Sequence, residues 1–126
     1  MPDSETLWTM KYVLLMFIER RKMKLINYQK ENLYRGTVLK FNYPYQSTYT
    51  EKDHTLMICE HIPIGDEAPL ALYHIKGYYA GVQKFVFPKE AKVQDAQAIS
   101  RTWLIENWNT YISDCPVYKV HVYEET

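Results

Sequence analysis

Gly36-Thr37-Val38-Leu39-Lys40-Phe41-Asn42-Tyr43 is the stretch at which the chain changes character. From here on β-branched and aromatic residues dominate, and turn residues interrupt them at short intervals. Thr37, Leu39, Phe41 and Tyr43 share one face of an extended segment while Val38, Lys40 and Asn42 share the other, the alternation of a strand with one side in a core. Residues 55–62 repeat the pattern, with Leu56, Ile58 and Ile62 opposite Met57, Cys59 and His61. Residues 70–76 and 82–87 read as two further strands, and the loop Gly77-Tyr78-Tyr79-Ala80-Gly81 between them has the two glycines of an antiparallel hairpin. A fifth strand is expected over 117–124, where Val120 and Val122 alternate with Lys119 and His121.

Between the fourth and fifth strands the spacing predicts a helix over about 97–112, capped by Asp95 or Ser100 and stopped before Cys115-Pro116. Leu104, Ile105, Trp108, Tyr111 and Ile112 fall on one arc of that helix and should pack on the sheet. Trp103 lies about 100° from Leu104 on the same wheel, so it either caps the edge of the core or stands partly exposed. An exposed Trp there is a binding anchor.

Ahead of the sheet, residues 5–22 read as another helix, apolar around most of its circumference through Leu7, Trp8, Met10 and the run 12–18. Arg20, Arg21, Lys22 and Lys24 then read as its solvated, basic end. The apolar run is well short of the roughly 20 residues that cross a bilayer, and Asp3 and Glu5 stand where a signal peptide carries positive charge. Such a helix needs cover from its own domain or from a second copy, which makes a homodimer through it one expectation. Met23 is a second plausible start, so residues 1–22 also read as an extension. The expected fold class is therefore α+β: an antiparallel sheet of about five strands, the 97–112 helix on one face, and an additional N-terminal helix.

With 126 residues and 47% hydrophobic content, the chain has the material for one core. Lys plus Arg and Asp plus Glu both number 15, which gives no net field toward nucleic acid or an anionic membrane. Two cysteines, Cys59 and Cys115, are too few for a disulfide framework, and a reduced, cytoplasmic setting fits them. His54, Cys59, Glu60 and His61 form the densest run of metal-ligand types, yet on a strand they split between two faces, so no metal and no cofactor is expected. Phosphate-cradling loops, nucleophile elbows and paired acid–base carboxylates are missing from the sequence, and no catalytic residue is assigned. The alternative is a small ligand-binding or thiol-dependent catalytic domain, in which Cys59 or Cys115 meets a distant histidine.

Twelve tyrosines are the conspicuous feature. Tyr43, Tyr45 and Tyr49 fall in the irregular stretch that ends at Asp53, and Tyr78 and Tyr79 fall in the glycine loop. Tyr offers large contact area with few torsions to freeze, so these residues, with Asp53 and Trp103, are the candidate partner-binding set; packing around a small sheet is the competing role.

Several stretches together carry a resemblance: Lys24-Leu25-Ile26, Asn32-Leu33-Tyr34-Arg35-Gly36 with Val38-Leu39, the Gly77 to Gly81 loop, and Trp103-Leu104-Ile105-Glu106-Asn107-Trp108 leading into Cys115-Pro116-Val117. They resemble the immunity protein 45 family of bacterial polymorphic toxin and contact-dependent growth inhibition systems over about 23–122, with the Trp-Leu-Ile-x-Asn-Trp element the most specific part. The resemblance implies a single α+β immunity-type domain over 23–126. It also implies a cytoplasmic, non-enzymatic protein that neutralises a cognate toxin by stoichiometric binding. No catalytic residue carries over, and Trp103, Asn107 and Trp108 are implied to be structural more than toxin-binding.

Overall fold

The computed structural model describes residues 22–42, 53–61 and 70–123. They form eight strands: β1 (Lys22–Lys24), β2 (Asn32–Tyr34), β3 (Val38–Asn42), β4 (Asp53–Glu60), β5 (Leu70–His74), β6 (Gln83–Val86), β7 (Ala98–Ser100) and β8 (His121–Tyr123). Six of them make one antiparallel sheet in the order β1-β8-β3-β4-β5-β6, and β2 and β7 make a separate two-stranded ribbon. Helix α1 (Arg101–Asn107) follows β7 directly and continues as a π-helical turn, Trp108–Ile112.

This architecture corrects the expected α+β arrangement of about five strands with two helices. The described chain is mostly sheet, six strands plus two, with α1 as its α-helix. Lys22, taken as the end of an N-terminal helix, is already in β1 and pairs with Tyr123; the rest of that expected helix, residues 1–21, lies outside the described residues. Of the two helix starts the sequence offers, after Asp95 or after Ser100, the chain takes the later and the helix begins at 101, because residues 98–100 hydrogen-bond as β7 to β2. Ser100, in extended backbone, then caps the helix by accepting from the Trp103 N–H at 3.2 Å. Asp95 is no cap, since it turns the chain with φ of 61°. In the last expected strand, Val117–Lys119 form a 3₁₀ turn, and among the described residues the strand is His121–Tyr123.

Period-two alternation places the core as the sequence implies. Leu39 and Phe41 on β3, Leu56 and Ile58 on β4, Leu70 and Leu72 on β5 and Val122 on β8 all turn to one face and are buried. Leu104, Trp108 and Ile112 cover that face from the helix and its π turn. The π turn carries an extra residue, so Tyr111, expected on the packed arc, swings out to 59% exposure while Ile112 takes the inward position. Trp108 anchors the layer: its ring meets Phe41 edge-on at 5.3 Å and its Nε1 donates to the Cys115 carbonyl at 2.9 Å.

Long-range polar contacts fix where α1 starts. The Glu31 carboxylate accepts from the Thr102 N–H at 2.7 Å and from the Thr102 and Ser100 hydroxyls, which satisfies helix N-terminal donors from outside the helix. Arg101 donates to the carbonyls of Leu25 and Ile26, tying the helix to the segment after β1.

Candidate functional site

The hairpin between β5 and β6 is the most exposed aromatic feature of the described chain. Residues 75–82 close it through the Gly81 N–H on the His74 carbonyl at 2.7 Å and the His74 N–H on the Val82 carbonyl at 2.9 Å. Gly77 and Gly81 both take positive φ, 81° and 89°, the backbone that the two glycines of the loop supply without steric cost. At its tip Tyr78 is 83% exposed and meets the half-buried Tyr79 edge-on at 5.2 Å.

That tip is not a loose loop end. A run of ring contacts leads from it into the core: Tyr79 to His74 at 5.6 Å, His74 to His54 at 6.3 Å, His54 stacked on Phe41 at 4.9 Å, and Phe41 on Trp108. Phe41, His54 and His74 sit on the neighbouring strands β3, β4 and β5, so packed side chains back the tip from beneath. An exposed aromatic held this way loses little freedom on binding.

A second aromatic surface lies where α1 crosses the β6 edge. Trp103 stacks on Tyr111 at 6.3 Å with planes 9° apart, and both stack on Phe85. With Pro88, Glu90 and Asn107 they line a shallow groove of about 350 Å³. Trp103 is half-buried and also meets Phe87 edge-on at 6.1 Å, so it caps the core's edge while showing one side to solvent. Tyr111 and Phe85 were missed from the sequence as surface residues, since the helical wheel turned Tyr111 inward; only a π turn at 108–112 exposes it.

The expected binding residues are thus only partly brought together. Tyr78 and Tyr79 touch, Trp103 belongs to the separate groove, and Asp53 is exposed at the start of β4, opposite Asn42. Tyr43, Tyr45 and Tyr49 lie outside the described residues.

Both cysteines lie in surroundings that disfavour the thiolate. Burial raises the Cys59 thiol above its ordinary range; burial also raises that of Cys115, against a smaller opposing effect of Lys119. Both therefore stay protonated at neutral pH, which is the unreactive form. Cys115 Sγ lies 3.6 Å from the Pro116 carbonyl, and neither thiol has a histidine as hydrogen-bond partner among the described residues. No cluster of three or more His, Cys, Asp or Glu side chains with metal-binding geometry is found among the described residues, and no described helix is long and apolar enough to cross a membrane.

The described chain is thus an antiparallel sheet covered on one face by α1, with stacked aromatics at its rim. The Immunity protein 45 family model matches residues 25–122, most of the chain and nearly all of the described structure. The chain belongs to that family. No curated protein and no solved structure matches it.

Proposed function

We propose that this chain is a cytoplasmic immunity protein that neutralises one cognate bacterial toxin by direct, stoichiometric binding. Membership of the Immunity protein 45 family across residues 25–122 carries this reading. The structure supports it through what its surface offers: aromatic anchors of the kind that dominate protein interfaces, and cysteines that burial holds as neutral thiols. Tyr78, presented by the ring ladder from Trp108, is the contact residue with the best geometry, and the Trp103–Tyr111 groove is a second. A standard interface covers about 800 Å² per partner, so more than one of these surfaces takes part.

The test is co-expression and purification with the toxin domain encoded beside the gene. A one-to-one complex by light scattering and loss of toxin activity at equimolar ratio are expected. Free toxin activity in the presence of excess folded chain refutes the reading.

A further inference from the structure

The sheet face turned away from α1 carries a feature that the neutral composition hides. Strand register sets Lys24 opposite His121 and His121 opposite Lys40, so three basic side chains stand in one row across β1, β8 and β3. Lys22 flanks the row from β1, opposite Tyr123, and Lys119 approaches from the turn before β8. Together they line a depression of about 640 Å³ in which Asp53 is the one carboxylate. Adjacent strands lie about 4.8 Å apart, so the row spans roughly 10 Å. The ion pair of Arg35 with Glu60 belongs to another part of the sheet, at the far end of β4 from Asp53.

From this placement we infer that the β1-β8-β3 face is an electropositive docking cleft for an acidic segment of the partner protein, one presenting two or three carboxylates within about 10 Å. The inference rests on the immunity reading and assigns that partner, the toxin, a chemical character. Two further observations favour protein carboxylates over nucleic acid. The basic charge is confined to one depression in a chain with equal numbers of acidic and basic residues, whereas phosphate backbones are met by an extended basic surface. The depression also holds the Tyr118 and Tyr123 side chains, the first 54% exposed, which add hydroxyl donors and apolar contact of the sort found at protein interfaces. His121 reports occupancy, because burial and the charges of Lys22 and Lys24 hold its pKa below the ordinary imidazole value, and an arriving carboxylate opposes the charge part of that effect.

The experiment compares the full-length chain with K24E/K40E and the milder K24Q/K40Q, each checked for an unchanged circular dichroism spectrum. Affinity for the neighbouring toxin domain is measured by calorimetry between about 50 and 200 mM salt. Charge reversal is expected to weaken binding by about 30-fold or more and neutralisation by several-fold, with the salt dependence of association flattened in both. NMR titration with a short glutamate-rich peptide is expected to shift the His121 ring and the β1, β8 and β3 amides of the unmutated chain, and not those of K24E/K40E. Full affinity and inhibition by both variants overturn the cleft and leave the immunity reading standing, while failure of the unmutated chain to bind the toxin overturns both. Saturable binding of polyuridylate at these strands, without the peptide response, overturns the protein assignment in favour of nucleic acid.

Discussion

The Cys115 carbonyl offers the sharpest check on how the π turn is held. It receives two donors, Trp108 Nε1 at 2.9 Å and Asn109 Nδ2 at 2.8 Å, and Cys115 itself is buried. Either donor alone satisfies the acceptor, so each single loss is cushioned by the other. W108F removes part of the buried ring surface and one hydrogen bond, about 2 kcal/mol together. N109A removes its bond to this carbonyl and another to the Ser113 carbonyl at 2.9 Å, about 1 kcal/mol in all. In the double variant the Cys115 carbonyl keeps neither donor, and an orphaned buried acceptor costs about 1–3 kcal/mol more. The loss at Ser113 occurs in both arms of the cycle and cancels. The double variant should therefore exceed the sum of the singles by at least about 1 kcal/mol in urea unfolding followed by far-ultraviolet circular dichroism. Additivity within about 0.5 kcal/mol refutes the shared-acceptor account.

Burial opposes ionisation of Glu31, but the hydrogen bonds from Thr102 and Ser100 and the charge of Arg101 outweigh it and hold the carboxyl below the usual glutamate range. Its contribution is present above the ordinary glutamate value and is lost as pH falls through the lowered one, so E31Q should flatten the acid limb of a stability–pH curve; an unchanged limb refutes the link. His121 works at higher pH: its lowered folded value means that the unfolded chain takes up the proton first, and stability declines as pH drops below the ordinary imidazole value. K22Q/K24Q should raise the His121 midpoint measured by NMR, and an unmoved midpoint refutes the electrostatic part of the cause. The fully buried Cys115 should resist Ellman's reagent until urea unfolds the chain, while the half-buried Cys59 reacts sooner; equal rates in native buffer contradict the burial pattern. At the hairpin tip, Y78A should leave the melting temperature within a degree or two and weaken toxin binding by about tenfold or more, since the ring is 83% exposed and hot-spot aromatics carry at least that much; equal affinity removes Tyr78 from the interface.

Four strands, β3 to β6, were legible because alternation runs long enough to count. Leu39 and Phe41, Leu56 and Ile58, and Leu70 and Leu72 are buried as their spacing implies, and the Gly77 and Gly81 pair marks the hairpin that joins β5 to β6. The strands that escaped, β1, β2 and β7, are three residues each, too short for a period of two to rise above local composition. Ser100 was recognised as a possible cap, but nothing local in Gln97-Ala98-Ile99 distinguishes a first helical turn from a strand; pairing with Asn32-Leu33-Tyr34 decides it. Trp103's half-buried position was legible, whereas Tyr111's exposure was not, because a wheel at constant pitch cannot contain a π turn. The basic row was hidden for a related reason: Lys22 and Lys24 look like a helix end in sequence, and only pairing through β8 brings them beside Lys40.

β8 is the last described strand of the chain, yet it lies inside the large sheet, between β1 and β3. During synthesis β3, β4, β5 and β6 can zip in order as they leave the ribosome, but among the described strands β1 gains its neighbour only when β8 emerges. A nascent or prematurely terminated chain therefore lacks both the seam and the electropositive face built on it. Protection should thus require translation through His121–Tyr123, and a stop codon a few residues before His121 should abolish it while leaving much of the sheet's hydrophobic sequence intact.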